Sequence, residues 1–161
     1  MAQSTRAKIK VSELFQVGVV VRDLENSMRH YESLLGIGPW EVVEVDSSSA
    51  DMTYHGKPVQ HRFTAAITTL GSMQLELLQP VEGDSIYSDF LKEHGEGIHH
   101  LGHVRVEDLD EAVQTLEKEG FPCIQGGRSP YHNWAYVDMT TALGCIIELS
   151  SGVDPRDVFK R

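Results

Sequence analysis

Apolar positions in this chain recur in two rhythms, and the pair of rhythms occurs twice. Residues 14–21, LFQVGVVV, are apolar and β-branched and read as a buried strand. Asp23 follows as an N-cap, and Leu24, Met28, Tyr31 and Leu35 fall at helical spacing until Gly36 stops the run. Residues 40–46, 61–69 and 73–79 read as three further strands. Between the first two of them, residues 47–60 are polar, carry Gly56 and Pro58, and read as a loop. After a connector broken by Pro80, Gly83 and Asp84, with one helical piece in SIYSDFLKEH, the pattern restarts. Residues 98–106 read as a strand, and Asp108 caps a helix striped by Leu109, Ala112, Val113 and Leu116. Gly120 ends that helix, and FPCIQ, NWAYVDM and GCIIELS supply three more strands.

The restart is close to literal. Gln16-Val17-Gly18 and Arg22-Asp23-Leu24-Glu25 in the first copy answer to His100-Leu101-Gly102 and Glu107-Asp108-Leu109-Asp110 in the second. Each copy closes on a strand with a glutamate at its middle, Glu76 in MQLELL and Glu148 in CIIELS. Both copies read strand, helix, strand, strand, strand. The fold class is α+β: two βαβββ repeats whose sheets join edge to edge into a curved mixed sheet, a cup with helices outside. Half the chain is too short for a comfortable core of its own, so two halves sharing one domain is the natural reading. The expected boundaries are a tail over 1–13, a domain over 14–152 (repeat one 14–80, connector 81–97, repeat two 98–152) and a tail over 153–161.

Composition narrows the function. The formal net charge of −10 argues against nucleic acid as partner. MAQSTRAKIK has no apolar run to serve as a secretory signal, and no segment has the apolar length of a membrane span. Cys123 and Cys145 stand outside any CxxC pair and fit a reducing compartment; a cytoplasmic protein is expected.

Alternation then turns the repeat into a site. Successive strand residues face opposite ways, so if Leu75, Leu77, Ile147 and Leu149 pack beneath the helices, Glu76 and Glu148 face the cup. Gln16 and His100 hold matched places on the first strand of each copy. A pseudo-twofold brings all four to the centre. One imidazole, two carboxylates and one amide oxygen suit a divalent metal such as Zn, Ni, Co or Mn, with open positions left for substrate. Glu148 and Glu76 are also candidate general bases. Taken singly, each of these residues reads as an ordinary strand residue; the matched placement makes the case. Trp40, Trp134 and Tyr136 are candidate cup-lining substrate contacts, while His99 and His103 are assigned structural or supporting places.

The chain resembles the vicinal oxygen chelate superfamily, which includes glyoxalase I, methylmalonyl-CoA epimerase, extradiol dioxygenases and the fosfomycin- and bleomycin-resistance proteins. The carrying stretches are FQVGVVVRDLENSMRHYESLLGIGPW, MQLELLQP, GEGIHHLGHVRVEDLDEAVQTLEKEGF and YVDMTTALGCIIELSS. The resemblance places one metal ligand on the first and last strand of each repeat, at Gln16, Glu76, His100 and Glu148. It implies a metal-dependent epimerase or isomerase that removes a proton next to a carbonyl, nearest to methylmalonyl-CoA epimerase. A glyoxalase I-like lactoylglutathione lyase and a metal-free small-molecule binding or resistance protein are the alternatives. The implied partners are a small-molecule substrate, an acyl-CoA among the candidates, and a second copy of the chain in a homodimer. The epimerases carry a glutamate base in the loop before the third strand. Here that stretch is TYHGKPVQHRF, with no acidic residue, and His55 and His61 are the candidate substrate-side groups in its place.

Overall fold

The computed structural model describes residues 6–154 and residue 156; the outer parts of both expected tails, residues 1–5, 155 and 157–161, lie outside the described residues. The first repeat contributes β1 (Gln16–Val20), α1 (Leu24–Leu35), β2 (Glu41–Asp46), β3 (Asp51–Tyr54), β4 (Lys57–Pro58), β5 (Arg62–Leu70) and β6 (Met73–Glu82). The connector carries α2 (Ile86–Glu93). The second repeat contributes β7 (Gly97–Arg105), α3 (Leu109–Lys118), β8 (Cys123–Arg128), β9 (His132–Asp138), α4 (Thr140–Leu143) and β10 (Ile146–Gly152).

The matched aspartates act as helix caps. The Asp23 carboxylate accepts from the Asn26 N–H and the Asp108 carboxylate from the Glu111 N–H, each satisfying a free donor of the first turn. Gly36 ends α1 in the left-handed conformation, φ 67°, where a side chain would be strained.

One curled, mixed sheet holds all ten strands in the order β2-β5-β6-β1-β7-β10-β9-β8-β3-β4. Within it the halves mirror each other. β1 runs parallel to β6 and β7 parallel to β10, while β1 and β7 join antiparallel at the centre. Outside, α1 covers Val19, Val21, Ala66 and Leu77, and α3 covers Val104, Val137, Ile147 and Leu149. The expected alternation therefore holds on both closing strands.

Two features go beyond the repeat. The segment expected as a loop over residues 47–60 forms β3 and β4, and β3 crosses to pair with β8 of the other repeat, Met52 opposite Gly127. It covers a sheet edge that would otherwise expose unpaired N–H and C=O groups. Polar composition hid it, because only Met52 of this hairpin is deeply buried. The helix α2 lies on the inner face, where Ile86 and Tyr87 pack with Val20, Phe63, Ala65, Leu78 and Tyr136. Its start is fixed by a capping box between Ser85 and Ser88.

Candidate metal centre

The central strand pair explains the doubled phrase. In the β1–β7 register, Gly18 lies opposite His100 and Gly102 lies opposite Gln16. A Cβ at Gly18 would collide with the His100 ring. One at Gly102 would collide with Gln16 Oε1 and stand 2.7 Å from Glu148 Oε2. Each repeat's glycine thus clears the space that the other repeat's polar side chain occupies. Gln16 is held by its neighbour in register: its Nε2 donates to Gln74 Oε1 at 2.8 Å, which fixes the amide and turns Oε1 inward. That oxygen and His100 Nε2 are both buried without a hydrogen-bond partner among the described residues. Glu76 and Glu148 come from the last strand of each repeat, and His100 Nε2 lies 3.7 Å from an oxygen of each. The structure places His100 Nε2 near an oxygen of both Glu76 and Glu148, and Gln16 Oε1 beside Glu148 at Gly102.

The electrostatics of this point are unbalanced. Burial, reinforced by the neighbouring Glu148, pushes the Glu76 carboxyl well above its usual range. Burial raises Glu148 to about 7, against the lowering effect of the His103 N–H that donates to its Oε2 at 3.3 Å. Burial, with the nearby His99 and His103 rings, holds His100 well below the ordinary imidazole value and therefore neutral. Among the described residues, no lysine or arginine lines the cavity. Two buried carboxyls, a neutral imidazole and an orphaned amide oxygen are costly unless a cation or a proton joins them. Three oxygen donors and one imidazole nitrogen are a donor set whose chemistry suits a divalent ion.

Above these residues opens a cavity of about 140 Å³. One wall is apolar, formed by Val43, Val45, Phe63, Ala65 and Ile67 of β2 and β5. The other carries His103, His132, Trp134 and Tyr136. Tyr136 stands across from Glu148 in register, lies edge-on to His100 at 5.0 Å between ring centroids, and shares a 2.7 Å hydroxyl hydrogen bond with Tyr87 of α2. Behind the centre, His99 Nδ1 sits 3.0 Å from His100 Nδ1.

The expected substrate contacts divide. Trp134 and Tyr136 line the cavity. Trp40 does not: its ring packs edge-on to Tyr31 beneath α1, on the outer face, because it precedes β2 on the side that α1 covers. His55 sits exposed at the β3–β4 turn, carried away from the cup when that hairpin crosses to β8. His61 is buried against Phe63 and Tyr87 and is absent from the cavity lining. Sequence reasoning missed His132 and the inward turn of His103. His132, Trp134 and Tyr136 alternate along β9, so the signal for His132 was there to be read. For His103 there was none. The β7–β10 register slips between Ile147 and Leu149, and His103 takes φ 48°, so a bulge swings into the cup a side chain that plain alternation sends outward.

A curled sheet of two βαβββ units with a carboxylate, imidazole and amide cluster at their junction defines one class of protein. The chain belongs to the Glyoxalase/Bleomycin resistance protein/Dioxygenase superfamily, whose family profile matches residues 15–137. Its relatives within that superfamily include methylmalonyl-CoA epimerases. The mitochondrial methylmalonyl-CoA epimerase of Mus musculus is 31% identical over 111 residues, 68% of this chain and 54% of the mouse protein. The chain thus spans little more than half the length of that curated relative. The crystal structure of methylmalonyl-CoA epimerase from Mycobacterium tuberculosis shares the fold, with TM-score 0.61 and 22% identity over 96% of this chain and 97% of that one. The Streptomyces coelicolor methylmalonyl-CoA epimerase in complex with 2-nitronate-propionyl-CoA does so too, with TM-score 0.62 and 18% identity over 90% and 100%.

Proposed function

We propose that the cup is the active site of a metal-dependent isomerase that removes and returns a proton beside a carbonyl, with a methylmalonyl-CoA-type thioester as substrate. The observation that carries this reading is the convergence of Gln16 Oε1, His100 Nε2, Glu76 and Glu148, two of those atoms buried without partners. These four residues are the ones that would hold a divalent ion. When bound, it would supply Lewis-acid polarisation of the substrate carbonyl and lower the cost of the enolate.

The chain's own groups do the rest. Glu148, a buried carboxylate whose proton affinity is raised, accepts the α-proton on a carboxylate oxygen. Glu76, which reaches His100 Nε2 from the other repeat, delivers a proton to the opposite face of the enolate, so that removal and return by different carboxyls inverts the centre. The valine and phenylalanine wall of β2 and β5 excludes water and seats an alkyl substituent. The Tyr87–Tyr136 hydroxyl pair holds the ring that faces Glu148. Kinship with epimerases, one of them solved with an acyl-CoA analogue, supports the thioester.

The test is incubation with methylmalonyl-CoA in deuterated water, followed by mass spectrometry. The expected result is one α-deuteron in the presence of the wild-type chain. In Glu148→Gln the rate falls at least about 100-fold, as for loss of a general base, with an unchanged circular dichroism spectrum. No incorporation by metal-loaded wild type removes the substrate assignment.

A further inference from the structure

The second histidine group in the cup has no role in the proposed reaction, yet its geometry is that of a ligand set. His103, His132 and Glu148 each offer a donor atom, and these atoms lie within 4.8 Å of one another. His103 is 6% exposed, and the Nδ1 atoms of His103 and His132 are both buried without a hydrogen-bond partner among the described residues. The two rings are 5.4 Å apart between centroids, and His103 is braced from behind by the Phe15 ring at 5.0 Å. The bulge that swings His103 inward puts it in the left-handed region, a strained conformation for a side chain that the fold has to hold in place. A neutral imidazole presents one lone pair to a metal ion. Of the nearby cations, Arg156 pairs with Asp154 and Glu13, while Arg105 donates through Nη2 to the Gly152 carbonyl and keeps Nη1 buried without a partner among the described residues.

We propose that His103, His132 and Glu148 form a second divalent-cation site in the cup, next to the four-residue centre and sharing Glu148 with it. The two sites differ in hardness. Gln16, Glu76, His100 and Glu148 offer three oxygens and one nitrogen. The second set offers two imidazole nitrogens and one carboxylate, which suits Zn²⁺, Co²⁺ or Ni²⁺ better than Mn²⁺. Three protein ligands leave open positions, so an ion held here is free to take a further oxygen ligand from water or substrate. The inference rests on the proposed centre only through the shared Glu148.

The metal-stripped 161-residue chain is titrated with Zn²⁺ and with Mn²⁺, and bound metal is counted by elemental analysis and calorimetry. Thermal unfolding confirms that each variant is folded, and His103→Asn, which tolerates the left-handed backbone, backs up His132→Ala. Two Zn²⁺ per wild-type chain are expected, one after His132→Ala or His103→Asn, and one after His100→Ala. One Mn²⁺ is expected, unaffected by His132→Ala. A single Zn²⁺ that survives His132→Ala and His103→Asn and is lost in His100→Ala overturns the second site and leaves the four-residue centre standing. A single Zn²⁺ lost in His132→Ala but kept in His100→Ala supports the second site and removes the first. No bound Zn²⁺ in wild type overturns both.

Discussion

Two glycines decide whether the centre can exist, and they differ in what yields. At Gly102 an added methyl meets the flexible ends of Gln16 and Glu148, which give way only by disturbing their present contacts to Gln74 and the His103 N–H. Gly102→Ala is therefore expected to leave the fold intact by circular dichroism while reducing metal affinity at least about 10-fold, comparable to disturbing a ligand's support. At Gly18 the methyl meets the His100 ring, which is fully buried and has nowhere to go. Gly18→Ala is expected to destabilise by about 1–3 kcal/mol, the usual cost of overpacking, read by urea unfolding. If Gly102→Ala keeps full metal affinity, Gln16 and Glu148 are not paired around an ion. The sequence displayed both glycines in its doubled phrase, but their purpose needed the register that sets each against the other repeat's side chain.

At the scale of elements, the repeat accounts for the eight strands of the mirrored halves, and the additions shape the cup. The β3–β4 hairpin latches the first repeat onto the second through Met52, which is 4% exposed and joins the inner core. Met52→Ala is expected to cost about 2–5 kcal/mol, as for other buried methionines, with amide exchange accelerating first in β8, the strand it covers. Uniform acceleration across the sheet would show that the hairpin is no separate latch. On β8, Gly127 lies under the Trp134 ring, where a Cβ would collide with it. Gly127→Ala is expected to push that indole from its place in the cavity wall and to shift its fluorescence, with little change in helix content. The helices α1 and α3 were legible because a 3.6-residue stripe and an aspartate cap are local signals. The hairpin was not, since pairing with a remote edge leaves no periodicity in a four-residue strand.

For the whole molecule, the buried titratable groups set opposing pH responses in the metal-free state. Burial lowers His99 and His132 to about 4 and His103 to about 3 from 6.5, so the unfolded chain binds more protons and stability is lost as pH falls below about 6.5. Glu148 acts in the other sense. With a folded value of about 7 against 4.5, it makes the unfolded chain bind fewer protons between those values, and stability falls as pH rises through that window. Removing it in Glu148→Gln is expected to make the variant's stability relative to wild type grow with pH from 4.5 to 7. The slope should be on the order of 1 kcal/mol per pH unit, one proton's worth, read by urea unfolding in the presence of a chelator. A flat difference would mean that Glu148 is ionised in the fold at low pH.

The sequence alone determined the duplication, the two capped outer helices, and the inward faces of β6 and β10 that carry Glu76 and Glu148. All of these follow from signals that repeat over a few residues, because side-chain direction along a regular strand or helix is fixed by its period. Tertiary structure alone decided that His103 joins the cup, that Trp40 and His55 stay out of it, that α2 fills the inner face, and that the cavity has one apolar and one imidazole-bearing wall. Those outcomes depend on a bulge, an edge pairing and the curl of the sheet. Each is set by hydrogen bonds and packing between segments distant in the chain, where local periodicity carries no information.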